Sequence, residues 1–373
     1  MGPQSSPYWT SLSRVLRRAI QVPLQVPLQN HQKTMFCRMR NCLYTIKPRE
    51  DLKFVIFSKV NTFFNWVHGP SKSLDLTEIP SVTLLAGNCI RILALNPGLY
   101  TLHGTNTYLV GSGSTRLLID SGAGFKKYIH LLQQVMQQQG VVGISDILIS
   151  HGHGDHIGGV EQLRLLFPTV RVWKHIPMSD CDSHFNSTMA QRLAYAPLHD
   201  GQMFQTQGAQ VQVITTPGHT NDHVSFYIKD SGVLFSGDCI LGSNSSTVFT
   251  ELKPYMDSLE KLKTYAPKVI YPGHGAVIEN AMEKIQEYIA HRLKREKSVL
   301  QVLRQMPHAT VPDLVDAIYQ NQVPKHLISA ASKSIQNHLD KLETEQKIKK
   351  ILVERKTRLW IKQTQISYKL INN

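Results

Sequence analysis

The sequence predicts an α/β protein carrying a basic, mainly helical unit at its C-terminal end. Two observations predict it. Between about residue 88 and residue 280, short β-branched runs end in Gly, Asp or His and alternate with helical patterns, the texture of layered strands and helices. Beyond residue 280, apolar residues recur at helical spacing, and 17 Lys/Arg stand against 9 Asp/Glu. At 373 residues the chain has room for two folded units and a terminal extension, placed at 1–80, 81–280 and 281–373.

Charge separates these segments. Residues 1–80 hold 11 Lys/Arg against 4 Asp/Glu, residues 81–280 hold 13 against 14, and the whole chain is +14. Basic ends on a neutral middle suggest that the ends meet a polyanion, an import machine or an anionic membrane surface; solvated helix faces are the plain alternative. No uncharged apolar run approaches the ~18 residues that a bilayer crossing needs, so no stable membrane insertion is expected. Cys37, Cys42, Cys89, Cys181 and Cys239 are odd in number and irregularly spaced, which argues against a disulfide framework and for a reducing compartment.

Residues 1–49 contain eight Lys/Arg and no acid. Trp9, Leu12, Leu16 and Ile20 fall on one side of a helix there, with Arg14, Arg17 and Arg18 opposite. This is the composition of a mitochondrial transit peptide, so the mitochondrial matrix is the expected location; the cytoplasm is the alternative if the segment is only a basic tail. The apolar run Phe54 to Val67 is too short to span a membrane and contains Lys59, so a surface-packing helix is expected.

In the middle segment, strands are expected at Arg91–Leu95, Thr107–Val110, Leu117–Ile119, Ile147–Ile149, Val211–Ile214, Val233–Phe235 and Val269–Ile270. Helices are expected at Lys127–Gln138 and Asp257–Tyr265. The strands from Leu117 onward run into Asp120, the HGHGDH run at 151–156, PGHT, GDC and PGHG. Loops at strand ends gather in such folds, so His151, His153, Asp155, His156, His219, Asp238 and His274 are expected to meet. Imidazole and carboxylate suit zinc, and seven donors exceed one tetrahedral ion, which implies two Zn2+ ions. A carboxylate between the ions could bridge them. Water at such a centre is acidified toward neutrality, so hydrolysis by metal-bound hydroxide is the expected reaction class. Gly152, Gly154, Gly158 and Gly159 are expected to let the loop approach the ions without Cβ clashes.

Three further features flank this set. Asn106 could present an amide to substrate or make a turn bond to backbone. The Ser-rich run Gly242–Thr247 could bond a phosphate or simply be a flexible loop. His223, four residues after His219, reads as a neighbour of the ligands rather than a ligand.

After residue 280, a long helix is expected over 281–306, with Ile285, Ile289, Leu293 and Leu300 on its buried face. A second starts at Pro312, and a third spans Ile328–Glu345. Ile348–Leu352 and Leu359–Ile361 then read as strands across a charged turn, Glu354–Arg358. Three helices and a hairpin resemble a winged helix, with Asn337–Glu343 as its recognition helix. Phosphate-backbone binding is the functional reading, carried by Lys349, Lys350, Arg355, Lys356 and Arg358; a dimerisation or lid appendage is the alternative.

The HxHxDH run with its three later strand-end ligands, over about residues 88–280, resembles the metallo-beta-lactamase superfamily of binuclear metal hydrolases. The resemblance implies a four-layered αββα sandwich, here with a C-terminal winged-helix-like domain. It also implies His151, His153 and His219 on one ion, Asp155, His156 and His274 on the other, and Asp238 bridging, with Asp155 and Asp238 nearest the chemistry. By the same resemblance Asp120 braces the metal loop from behind; a turn or helix cap is the alternative. Cys239 should point away from the ions, unlike the cysteine ligand that some zinc beta-lactamases place where Asp238 stands. The 36 positions from Asp238 to His274 leave no room for the inserted domain of RNA 3′-end-processing nucleases.

A neutral hydrolase joined to a small basic winged-helix tail, with the runs GTNTYLVGSG and GDCILG, is similar to superfamily members that are animal mitochondrial endoribonucleases. Single-stranded RNA is therefore the expected partner and substrate. A thioester hydrolase of the hydroxyacylglutathione-hydrolase kind is the alternative, since the same centre attacks carbonyl carbon. The N-terminal extension departs from that pattern. A fusion of residues 1–50 to a fluorescent protein should enter mitochondria, and neutralising Arg14, Arg17 and Arg18 should stop it; diffuse signal from the unaltered fusion would defeat the transit reading.

Overall fold

The computed structural model describes residues 78–98, 100–177, 195–242, 247–319, 328–356 and 362–371. The Arg-bearing segment at the start, the run Phe54–Val67, Ser243–Ser246 and the stretch from Arg358 through Ile361 lie outside the described residues.

Strands β1 (Val82–Leu85), β2 (Cys89–Leu93), β3 (Asn106–Val110) and β4 (Thr115–Ile119) form an antiparallel meander. Helix α1 (Lys126–Gln138) carries the chain to β5 (Gly143–Ile149), parallel to β4. Helices α2 (Gly154–Ile157) and α3 (Val160–Leu166) carry it to β6 (Arg171–Lys174), parallel to β5, and β7 (Ala196–Pro197) completes a seven-stranded sheet in chain order. The second sheet contains β8 (Met203–Thr206), β9 (Ala209–Thr215), β10 (Val224–Ile228), β11 (Val233–Gly237) and, after α4 (Leu252–Thr264), β12 (Val269–Pro272). Its order is β12-β11-β10-β9-β8, antiparallel except between β11 and β12.

Side chains alternate across each strand, which builds the layers. Leu117 and Ile119 of β4 meet Val213, Phe226 and Phe235 between the two sheets. Leu118 faces the other way, with Tyr128, Leu132 and Leu163 of α1 and α3. On the second sheet, Leu234 turns outward to Leu259 and Leu262 of α4. The product is four layers, helix, sheet, sheet and helix. Because β3, β10 and β11 are buried on both faces, their sequences read as apolar runs rather than alternating ones.

The C-terminal unit comprises α5 (Ala281–Gln305), α6 (Val311–Tyr319), α7 (Ile328–Thr344), β13 (Ile348–Lys356) and β14 (Lys362–Leu370). Helix α5 serves two cores. Ala281, Ile285 and Ile289 complete the outer helical layer with Leu234 and Ile270, whereas Val299 and Leu303 pack with Leu314, Leu339, Leu342 and Tyr368. Leu293, expected on the buried face, is 47% exposed, because the helix changes partners there and buries Arg292 and Glu296 instead. Among the described residues, no helix is long and apolar enough to cross a membrane.

Three other expectations are corrected. Helix α4 begins at Leu252 rather than Asp257, since Pro254 sits in the first turn, where a missing N–H forfeits no helical bond. The run Glu354–Lys356 continues β13 rather than turning, and Lys356 pairs with Lys362, because a two-stranded ladder is closed by backbone bonds that a charged run can make. The expected recognition helix turns most of the run Asn337–Glu343 inward, leaving Asp340 exposed. Asn337, His338, Leu339 and Lys341 of α7 are buried, packed toward α4, α5 and β13.

Two glycines of the histidine loop are required by close protein contacts. A Cβ on Gly159 would fall 2.0 Å from the Ser121 carbonyl oxygen, and one on Gly158 would fall 3.0 Å from the Ala123 carbonyl, while one on Gly154 meets nothing within 4 Å. Gly158 and Gly159 thus seat the histidine loop on the Asp120 loop. Gly159→Ala is expected to destabilise the fold by about 1–3 kcal/mol or more, with Gly154→Ala near neutral, as read from urea unfolding midpoints.

Candidate metal centre

Parallel pairing delivers the ligands. Because β4 and β5 run side by side, Asp120 and His151 emerge at the same sheet end; β11 and β12 deliver Asp238 and His274 likewise, with Gly237 paired to Pro272. His219 follows β9, and the short α2 carries Asp155 and His156. The seven expected residues fall into two groups, His151, His153, His219 and Asp238 in one, and Asp155, His156 and His274 in the other, with ligand atoms within 4.8 Å of one another in each.

Within the first group, Nδ1 of His153 stands 2.9 Å from Nε2 of His151 and 3.1 Å from Nε2 of His219. Nitrogens bound to one tetrahedral zinc at ~2.0 Å would stand about 3.3 Å apart. In the second group, Nε2 of His156 and of His274 are 3.2 Å apart, and Oδ2 of Asp155 is 3.3 Å from each. Asp238 lies between the groups. Its Oδ1 is 3.4 Å from the His156 and His274 nitrogens, and its Oδ2 is 3.6 Å from His219 and 3.9 Å from His151. Oδ1 of Asp238 is also buried without a hydrogen-bond partner, an orphan that a cation would satisfy. Convergent nitrogens and a stranded carboxylate oxygen fit metal ions.

The electrostatics agree. Burial, aided by the surrounding imidazoles, holds His151 well below the ordinary imidazole range, and burial and His219 hold His153 below it. In the second group burial works the other way from the carboxylates, which win. Asp155, Asp238 and Asp120 raise His156 well above that range, and Asp238 and Asp155 raise His274 to about 9. Burial would raise the Asp238 carboxyl, but His274, His156 and His219 hold it below its usual value. The negative charge that lifts those imidazoles is the charge that draws a divalent cation.

A set of buried bonds aims each ring. Asp120 accepts the Ser150 N–H at 2.8 Å on Oδ1; its Oδ2 accepts the Ser150 hydroxyl at 2.8 Å and lies 2.7 Å from Nδ1 of His156. Ser150 Oγ lies 3.0 Å from Nδ1 of His151. With its hydroxyl proton on Asp120, Ser150 takes the Nδ1–H of His151, so one carboxylate sets the tautomers in both groups and leaves each Nε2 for an ion. His219 donates from Nδ1 to the Val248 carbonyl at 2.6 Å. His223 accepts the Asp238 N–H on Nε2 at 3.1 Å and donates from Nδ1 to Thr216. Burial and His219 push His223 down to about 3, so it stays a neutral brace for the Asp238 loop.

Several of these partners are not legible in the sequence. Thr105 donates to Asp155 at 2.9 Å and is itself held by Asn96, and no local motif marks either residue. Sequence reasoning also misses Ser150 and the Val248 carbonyl, although Ser150 directly precedes the histidine run. Asn106 is corrected as a substrate contact: its amide donates to the Pro272 and Gly275 carbonyls at 2.8 and 2.9 Å and so holds the His274 loop. Lys350 is corrected as a free phosphate contact, since its ammonium pairs with Glu343 at 2.6 Å and lies 3.6 Å from Asp340. Lys349 is exposed, opposite Lys369. Arg355 and Lys356 lie on β13, and Arg358 lies outside the described residues. Cys239 is fully buried beside Asp238, and burial raises its thiol above the usual range, which leaves it inert.

Comparison with known proteins agrees with this geometry. Residues 100–274 match the metallo-beta-lactamase superfamily, and residues 310–360 match the beta-lactamase associated winged helix domain. A beta-lactamase-like protein 2 homolog of Drosophila melanogaster is 43% identical over 277 residues, covering 73% of this chain and 93% of its own. An atrochrysone carboxyl ACP thioesterase of Aspergillus novofumigatus is 35% identical, covering 68% of this chain and 77% of its own. A beta-lactamase domain protein of Burkholderia ambifaria superposes with a TM-score of 0.60 at 20% identity, over 80% of this chain and 96% of its own.

Ser150→Ala should weaken ion binding by about 10 to 100-fold while the fold survives, and Asp238→Asn should abolish hydrolysis. Metal titration and turnover of the purified proteins check both.

Proposed function

This chain belongs to the metallo-beta-lactamase superfamily, and on that footing we propose that it is an endoribonuclease cutting single-stranded RNA with two zinc ions. At the coarser level it is a metal-dependent hydrolase. Asp238 standing between two ligand groups supports the two-ion part of this reading, and the observation that carries the choice of a polyanionic substrate is the basic C-terminal unit, with 17 Lys/Arg against 9 Asp/Glu. Two ions bound there would acidify a shared water and offset charge on the attacking and leaving oxygens of a phosphodiester. Five imidazoles and two carboxylates are a donor set that zinc favours.

The chain's own residues supply orientation. Asp120 and Ser150 keep Nε2 of His151 and His156 turned inward, His223 fixes the Asp238 backbone, and Thr105 fixes Asp155. For the RNA strand, the exposed Lys349 beside Lys369 on the wing is the phosphate-binding group this reading assigns, in place of the Asn337–Glu343 run of α7, which is mostly buried. The excess of 17 Lys/Arg over 9 Asp/Glu in residues 281–373 supports a polyanionic partner.

A second reading, a thioester hydrolase, is favoured by the Aspergillus thioesterase at 35% identity, because metal ligands alone do not distinguish phosphorus from carbonyl carbon. Purified zinc-loaded protein assayed in parallel on fluorescent single-stranded RNA and on an acyl-glutathione thioester separates them. RNA cleavage, abolished by Asp238→Asn, is expected. Replacing Lys349 and Lys369 should flatten the salt dependence of RNA binding by about 0.7 in log–log slope for each phosphate left unneutralised. Turnover of the thioester alone would reverse the ranking.

A further inference from the structure

The loop between β11 and α4 is gripped from two sides. Its residues 247–249 belong to no helix or strand, and Thr247 and Phe249 are buried while Val248 is 68% exposed. The Val248 oxygen takes the Nδ1–H of His219 at 2.6 Å. The Thr247 oxygen accepts from the Arg292 guanidinium of α5 at 3.2 Å, and the Phe249 oxygen accepts from the Asn337 amide of α7 at 3.2 Å. Arg292 also lies 4.8 Å from the centre of the Phe249 ring, which stacks on Tyr255 at 5.3 Å. The same loop reaches a second ligand of this group, because the Thr247 hydroxyl donates to the Asp238 carbonyl at 3.0 Å, and Tyr255 of α4 donates to the next carbonyl, of Cys239, at 2.7 Å.

We infer that Arg292 and Asn337 are positioning residues of the metal centre. By fixing the carbonyls on either side of Val248, they aim the central carbonyl at Nδ1 of His219 and so fix which nitrogen of that ring faces the ion. The C-terminal unit is then part of the metal site, through two side chains that touch neither ion nor substrate. Both are nearly buried, at 7% and 3% exposure, so neither has a solvent role to explain it. The inference rests on the chain being a metal-dependent hydrolase and is independent of whether the substrate is RNA or a thioester.

The test uses the full chain and reads metal rather than turnover. Zinc is titrated stepwise against a chromophoric chelator, and the visible absorption of the cobalt-substituted protein is recorded, for wild type, Asn337→Ala, Asn337→Asp, Arg292→Lys and Gln336→Ala. Asn337→Asp is close to isosteric and replaces the amide donor with a carboxylate that repels the Phe249 carbonyl, and only variants whose urea midpoint shows them folded are read. Gln336, also on α7, bonds Asp340 of that helix and Tyr368 of β14 rather than the loop, and serves as the control. The expected result is that one of the two zinc equivalents loosens by about 10-fold in the Asn337 and Arg292 variants, with a shifted cobalt band. Gln336→Ala should change neither. Unchanged affinity in folded Asn337→Asp, or an equal loss in Gln336→Ala, would overturn the assignment.

Discussion

The structure depends on one carboxylate. Asp120 sits at φ 59, a left-handed conformation that is unfavourable by roughly 1–3 kcal/mol for a residue with a Cβ. That strain persists because three bonds converge on the side chain from Ser150 and His156, in a site only 2% exposed. The neighbouring Ser121 adds a further grip, donating its N–H at 2.7 Å and its hydroxyl at 2.9 Å to the His156 carbonyl. Side chain and backbone of one ligand are thereby held by two consecutive residues, and the loop that bears four of the seven donors is fixed to the end of β4. Everything farther out, from the Gly158–Gly159 contact to the strand order, serves to keep those two loops in register.

The layered core explains why such a site sits where it does. Sheets buried on both faces leave their ends as the places where loops can carry polar groups to a common point, and two parallel pairs deliver loops to the same edge. Donors packed at about 3 Å repel unless a cation or proton intervenes, so the site is held together by its surroundings and not by its own contacts. That is why so much of the bonding around it, from Asn106 and Thr105 to His223, involves neutral groups that never meet an ion.

The metal ligands and the alternation of strands and helices are legible because both are local. HxHxDH compresses four donors into six positions, and the later ligands each follow a short apolar run that ends in glycine. What is not legible depends on contacts between distant positions. Asn106 and Pro272 are 166 residues apart, and nothing in Gly-Thr-Asn-Thr-Tyr shows that its amide will face a carbonyl of the β12 loop. The Val248 carbonyl carries no side-chain signature at all. Helix α7 misleads for another reason: its polar residues Asn337, His338 and Lys341 look solvent-facing in sequence, but burial against α4 and α5 makes them structural.

Charge counting misleads in the same way at the C-terminal unit. Lys341 and Glu296 form a pair at 2.5 Å, with both side chains less than 10% exposed, and Lys347 pairs with Glu296 and Glu345. A buried pair of this kind adds little net stability, and each partner has a second one, Glu345 for Lys341 and Lys347 for Glu296. These lysines are therefore committed to joining α5, α7 and the start of β13, and the basic groups free to meet a polyanion are fewer than the 17 that the sequence counts there. A polyanion that met this unit would meet its outer faces, because the inner face of α7 is already occupied in holding the loop behind His219.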